Sequence, residues 1–252
     1  MKLKKKYGQN FLINDKIVQL IYDNINPKSN ETILEIGPGS GVLTKKLKSR
    51  GSKLIAIEID KDFESDLKKL EDQNTKIIFD DFLKVDLNEY KGSYIIVGNL
   101  PYYITTPIIE KIIESNINVN DMIFMVQKEV ANRFISFPGT KNYGYFTVFL
   151  QHYFNIKKII DVTARDFMPK PNVDSTVIKL SRKEKVYVED EKKYFSFLKC
   201  AFKFKRKKLK NNLQDYDWNI ILNILKENHY SENIRAEELP EKVFLEIYNK
   251  LL

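Results

Sequence analysis

Asn99-Leu100-Pro101-Tyr102 closes the apolar run Tyr94-Ile95-Ile96-Val97-Gly98. A run of that length reads as a buried strand, and Pro101 ends it and stiffens the turn beyond. Asn99 and Tyr102 are thereby presented at a strand's C-terminal edge, where open α/β sheets bind ligands. An amide oxygen and a turn carbonyl, that of Leu100, can accept both hydrogens of an exocyclic amine. The Tyr102 ring can stack on the flat ring that carries the amine. Taken alone, the same four residues also fit an ordinary strand-ending turn.

A second group lies about sixty residues upstream. Thr32-Ile33-Leu34-Glu35-Ile36 reads as a short strand that runs into Gly37-Pro38-Gly39-Ser40-Gly41, and helical periodicity resumes at Val42, Leu43 and Leu47. Strand, glycine loop and helix in that order let backbone N–H groups approach a ligand closely. The spacing is Glu-x-Gly-x-Gly-x-Gly. The dinucleotide fingerprint needs Gly-x-Gly-x-x-Gly, and Val42 occupies its last place. The loop therefore points away from a nicotinamide dinucleotide and towards S-adenosylmethionine, which has no pyrophosphate to cradle. The next strand, 53–59, delivers Glu58 about twenty residues after the first glycine, where an acid that binds ribose hydroxyls is expected. The competing reading of Glu58 is a solvated strand-end carboxylate.

These groups need a sheet to hold them. Strands are predicted at 32–36, 53–59, 76–79, 94–99, 121–127, 156–163 and 175–180. Helices are predicted near 15–24 and at 41–50, 61–71, 105–116, 128–136 and 145–154. Such alternation predicts an α/β fold with a mainly parallel sheet covered on both faces, and the last two strands predict an antiparallel edge. Between them Asp166-Phe167-Met168-Pro169-Lys170-Pro171 reads as an exposed, proline-stiffened loop. Helical runs at 193–203, 217–227 and 240–251, with a short strand at 186–188, predict a small all-α C-terminal domain. The expected division is 1–183 for a cofactor-binding catalytic domain, with residues 1–30 as arm and helix, and 184–252 for a helical RNA-binding domain.

Bulk properties bound the function. The chain has 252 residues, 43% hydrophobic and 30% charged, a globular balance. There is no apolar run of about 18 residues, so no membrane span is expected. The basic start Met1-Lys2-Leu3-Lys4-Lys5-Lys6 has no apolar segment behind it, so no secretory signal is expected. One cysteine, Cys200, excludes an internal disulfide framework. His152 and His229 are too few and too far apart for a metal site, and His152 reads as a packed or rim residue. A reducing cytoplasm fits. The net charge of +8 suggests an anionic partner, most simply nucleic acid. From Lys192 to Lys210 there are nine Lys or Arg and no Asp or Glu. Within that run Lys203, Lys205, Arg206, Lys207, Lys208 and Lys210 interleave with Phe202 and Phe204. Phosphate contact is the sharper reading, and a solvated helix face the blander one.

Four segments in order carry a resemblance: Gly8-Gln9-Asn10-Phe11-Leu12, Glu35 to Gly41, Asn99-Leu100-Pro101-Tyr102-Tyr103-Ile104-Thr105-Thr106-Pro107, and Phe167 to Ser175. Together they resemble the ribosomal RNA adenine N6-dimethyltransferases, over residues 7 to about 248. Three further segments favour the small-subunit, kasugamycin-resistance branch: Pro138 to Gly144, Phe204 to Leu213 with its Asn211-Asn212-Leu213, and Arg235 to Leu239. One departure is Phe202-Lys203-Phe204-Lys205-Arg206, where a more polar residue is expected before the basic run. The resemblance implies a class I, Rossmann-like methyltransferase that uses S-adenosylmethionine and needs no metal. It implies dimethylation of two adjacent adenosines near the 3′ end of small-subunit rRNA, within a precursor particle, by a monomer. Asn10 and Leu12 would cover the methionine end of the cofactor, Gly37 and Gly39 would approach it through their backbone, and Glu58 would hold the ribose. Asp81 would accept the cofactor's adenine amine, Asn99 would lie between cofactor and target base, and Tyr102 and Phe167 would sandwich that base. Alternatives are a large-subunit rRNA adenine methyltransferase that confers macrolide resistance, and a non-catalytic RNA-binding assembly factor.

Overall fold

The computed structural model describes residues 10–184 and 188–252. The basic arm, Gly8, Gln9 and the Val186-Tyr187 part of the expected short strand lie outside the described residues. Along the chain run β1 (Phe11–Leu12), α1 (Asp15–Asp23), β2 (Glu31–Ile36), α2 (Val42–Lys48), β3 (Leu54–Glu58), α3 (Glu64–Leu67), β4 (Thr75–Phe79), β5 (Ser93–Asn99), α4 (Thr105–Glu114) and β6 (Asn118–Gln127). Then follow α5 (Lys128–Phe134), α6 (Tyr145–Tyr153), β7 (Phe154–Val162), β8 (Phe167–Met168), β9 (Ser175–Arg182), α7 (Glu191–Ala201), α8 (Leu209–Asn212), α9 (Trp218–Glu227) and α10 (Glu241–Leu251).

Seven strands form one sheet in the order β4-β3-β2-β5-β6-β9-β7. β4, β3, β2, β5 and β6 are parallel, and β9 runs antiparallel to β6. The order turns back between β2 and β5, which opens a crevice beyond their carboxyl ends. Both strands are largely buried, and β5 accordingly reads as a continuous apolar run from Tyr94 to Val97. Ile33, Ile95, Val97, Ile123, Met125 and Val177 share one core with Ile17 and Ile21 of α1 and Leu47 of α2. Each such side chain contributes about 1.5–3 kcal/mol on burial. The start of α1 is fixed locally, because the Asn14 side chain accepts from the Lys16 N–H at 3.0 Å.

The segment expected as one helix over 61–71 is three short pieces: a 3₁₀ turn at Lys61–Phe63, α3, and a second 3₁₀ turn at Lys68–Leu70. Its apolar stripe survives, with Phe63 and Leu67 buried against Ala56 and Ile77. Phe167 differs more. It lies in β8, which pairs with β1 through Leu12↔Phe167, and only 3% of it is exposed, within the main core. Side chains alternate along a strand, so its neighbour Met168 points out instead, 63% exposed.

Packing divides the chain into two compact units, 1–131 with 157–182, and 132–156 with 183–252. Residues 132–156 thus pack with the C-terminal helices, not with the sheet unit in which the sequence reading placed them. The reason is aromatic. The Phe149 ring of α6 lies 4.1 Å from the Phe195 ring of α7, and the buried Tyr143 hydroxyl donates to the Leu239 carbonyl at 2.9 Å. His152 is buried in this unit, its Nδ1 2.6 Å from Glu241 Oε1, and reads as a packed histidine.

Candidate active site

The register Ile36↔Gly98 between β2 and β5 sets the loop after Ile36 beside Asn99 at the turning point of the sheet. A cavity opens there, lined among others by Asn10, Leu12, Gly37, Gly39, Glu58, Asn99, Leu100 and Tyr102. Gly37, Glu58 and Asn99 converge because parallel strands end on the same edge, and Asn10 and Leu12 join them from β1.

The glycine loop has the left-handed backbone that glycine tolerates best. Gly37 has φ +67°, and a Cβ built on it would meet nothing within 4 Å, so the loop faces open space. Gly39 has φ +55°, and its Cβ would sit 2.9 Å from the Phe11 ring, so β1 lies directly on the loop. Glu58, 4% exposed, is held by two backbone donors: the Gly39 N–H to Oε2 and the Asp60 N–H to Oε1, both at 2.8 Å. Burial pushes its carboxyl above the usual range, and those two N–H groups oppose the shift. This is not a solvated strand-end carboxylate.

Asn99 is oriented by a distant segment. Its Nδ2 donates to the Asn10 carbonyl at 2.8 Å, which fixes Oδ1 as the acceptor end of the amide. Leu100 is 1% exposed and tied by its N–H to the Met125 carbonyl at 3.1 Å. Tyr102 is steered by a hydrogen bond between its hydroxyl and Ser175 Oγ at 2.8 Å. Ser175 is fully buried on β9, and its type alone gives no sign of this task. β1 is pinned in turn, with Asn14 Nδ2 donating to Asp166 Oδ1 at 2.7 Å and the Ile13 N–H to the Asp166 carbonyl at 2.8 Å.

Glu35 was not singled out as a site residue. It lines the cavity, is 2% exposed, and its Oε2 has no hydrogen-bond partner among the described residues. Burial is the main reason its carboxyl is pushed up to about 8, the Thr44 hydroxyl works against the shift and the Glu58 charge adds to it. Two expected residues stand apart. Asp81 does not line the cavity, and its Oδ1 accepts from the Leu83 N–H of its own turn at 3.0 Å. That turn is braced from α4 by Lys111 Nζ, which donates to the Leu83 carbonyl at 2.7 Å. Phe167, in the core, offers no face to a base in this arrangement.

In the helical unit the basic run does not continue α7, which ends at Ala201; residues 202–207 form turns. Lys203, Arg206, Lys207, Lys208 and Lys210 are exposed. Lys205 pairs with Glu237 at 3.4 Å and donates to the Lys141 carbonyl. The Gly139 N–H donates to the Glu237 carbonyl at 2.7 Å, and Lys208 bridges Arg235. The three segments that distinguish the small-subunit branch in the sequence are thus brought together. Lys208 Nζ donates to Asn233 Oδ1 at 2.7 Å, and Lys210 Nζ lies 5.6 Å from the Trp218 ring centroid.

Solved structures share this architecture. A dimethyladenosine transferase from Plasmodium falciparum superposes with a TM-score of 0.81, at 28% identity, over 94% of this chain and 95% of that one. The 23S rRNA methyltransferase ErmE superposes with a TM-score of 0.76 over 96% and 99%, at 24% identity, which speaks to the fold alone. The fold is that of the class I methyltransferases, with a helical C-terminal part. The family model described as ribosomal RNA adenine dimethylase matches residues 1–252. A "Ribosomal RNA small subunit methyltransferase A" from Clostridium botulinum (strain Kyoto / Type A2) is 40% identical over 99% of this chain and 93% of its own length. The chain belongs to the ribosomal RNA adenine dimethylase family and is a methyltransferase. Among the described residues no helix is long and apolar enough to cross a membrane.

Proposed function

We propose that this protein dimethylates the N6 amines of two adjacent adenosines near the 3′ end of small-subunit rRNA, acting as a monomer on a precursor particle and using S-adenosylmethionine. The observation that carries the reading is the fixed amide of Asn99 beside the Gly37 loop and the buried Glu58. The residues fit the cofactor. Gly37 has open space where a side chain would stand, Glu58 is a buried acceptor that lines the same cavity, and Glu35 brings an unpartnered carboxyl oxygen to it. Asn10 and Leu12 would cover the methionine end. Asp81, expected to take the adenine amine, lies outside the lining of this cavity.

When bound, the cofactor supplies an electrophilic methyl group on a sulfonium. The protein has to prepare the nitrogen. An adenine N6 lone pair is delocalised into the ring and is a poor nucleophile. Asn99 Oδ1 and the Leu100 carbonyl accept its two N–H bonds, draw the nitrogen towards tetrahedral geometry and aim its lone pair at the methyl carbon. Positioning of this kind supplies roughly 7–11 kcal/mol in well-oriented cases, and the two oxygens stabilise the positive charge that develops on nitrogen. The proton leaves to water after transfer. For the second methyl, Asn99 releases one acceptor contact. The target base must leave its stack to enter. Tyr102, held by Ser175, offers it one face, at about 1–3 kcal/mol for a stacked base.

The test is transfer of labelled methyl groups to small-subunit particles, large-subunit particles and naked rRNA. Label in small-subunit rRNA is the expected result. Label in the large subunit would favour the macrolide-resistance reading, and no label at all the silent assembly factor.

A further inference from the structure

Phe204 is 54% exposed, on the turn that follows α7. An exposed ring of that size on a mobile turn would call for no explanation, but this turn is firmly held. The Phe204 N–H donates to Asn212 Oδ1 at 3.1 Å, and Asn212 Nδ2 donates to the carbonyls of Phe204 at 3.3 Å and Ala201 at 2.8 Å. The Lys207 N–H donates to the Phe204 carbonyl at 2.8 Å. Asn212 itself is 7% exposed. A buried amide therefore clamps both backbone groups of a residue whose aromatic side chain is turned to water.

One cation lies by the ring and two more follow it in the chain. Lys203 Nζ lies 5.5 Å from its centroid, and Arg206 and Lys207 are exposed two and three residues on. A fixed aromatic face among cations matches the chemistry of an unpaired nucleotide: the base stacks and the phosphates meet the charges. A duplex hides the faces of its bases, so the occupant is single-stranded. We propose that Phe204 is a stacking platform for an unpaired base of the RNA substrate, with Arg206 and Lys207 on the adjoining phosphates. This inference rests on the proposed action on RNA and adds a contact outside the active-site cavity.

The experiment titrates the full chain and its Phe204→Leu and Phe204→Trp variants with a labelled single-stranded oligoadenylate and with an RNA duplex of equal length, across a salt series. Phe204→Leu should bind the single strand about 5-fold or more weakly, the low end for one stacked base. Its salt slope should equal that of the wild type, because stacking releases no counterions. Phe204→Trp should bind at least as well as the wild type, and the duplex should not distinguish the three. Equal affinity of Phe204→Leu and wild type for the single strand would overturn the proposal, as would an equal loss on the duplex. If the wild type bound neither RNA, the RNA-face reading of the helical unit would fall with the platform; wild-type binding without a Phe204 effect would remove the platform alone.

Discussion

The sheet unit and the helical unit hold their candidate groups in different ways. In the sheet unit two central groups are fixed by main chain, Glu58 by the N–H groups of Gly39 and Asp60 and Asn99 by the carbonyl of Asn10, and Tyr102 is held by the buried Ser175 hydroxyl. In the helical unit the cations stand on exposed turns, several with partners that can be exchanged, such as Glu237 for Lys205 and Asn233 for Lys208. Methyl transfer needs a reacting nitrogen placed to a fraction of an ångström. Phosphate contact needs charge density, and tolerates side chains that move. Single substitutions should therefore be costly in the first unit and graded in the second.

The largest effect should come from Asn99→Ala. Loss of one positioned acceptor should lower turnover about 10²–10³-fold with cofactor affinity nearly kept, as read by single-turnover transfer and calorimetry. Near-normal turnover would remove Asn99 from the mechanism. Next, Glu58→Ala should weaken S-adenosylmethionine binding by about 1.5–3 kcal/mol, the usual range for hydrogen bonds to a charged group. Unchanged affinity in calorimetry would place Glu58 outside the site.

In the helical unit, neutralising Arg206 and Lys207 together should reduce the salt slope for small-subunit particles by close to two units. Neutralising Lys205 and Lys208 should reduce it less, because both already have partners. Cofactor binding should not change in either pair. Equal slopes in all three proteins would make the run a solvated face. A separate effect, on stability and not on binding or turnover, is a pH dependence. Between about 4.5 and about 8 the folded chain keeps a proton on Glu35 that the unfolded chain releases. The stability from that group is full below about 4.5 and is lost as pH rises through about 8. Glu35→Gln should therefore gain on the wild type in urea midpoint as pH rises across that window. A constant difference would show that Glu35 does not titrate there.

What the sequence made legible follows the same division. The buried strands were readable because two-sided burial demands apolar runs, continuous at Tyr94 to Val97 and broken only by Glu35 at Ile33 to Ile36. Glu35 to Gly41 and Asn99 to Tyr102 were readable because strand ends and glycines mark themselves. β1 and β8 were not: two residues each carry no periodicity, and their pairing joins positions far apart in sequence. That pairing is what turned Phe167 inward, against the signal of Pro169 and Pro171. Ser175 and the Asn10 carbonyl were invisible for a related reason, since a buried serine and a main-chain oxygen gain their roles only from what folds beside them. The break of 61–71 into short pieces has no cause in its residues that we can name.

The central claim is that an oriented amide acceptor at the turning point of the sheet delivers methyl groups to an exocyclic adenine nitrogen. Nucleoside analysis of small-subunit rRNA after complete reaction tests it most directly. The account predicts N6,N6-dimethyladenosine at two neighbouring positions and no other new methylated nucleoside. Methylation of a ring nitrogen, a ring carbon or a ribose hydroxyl would contradict it.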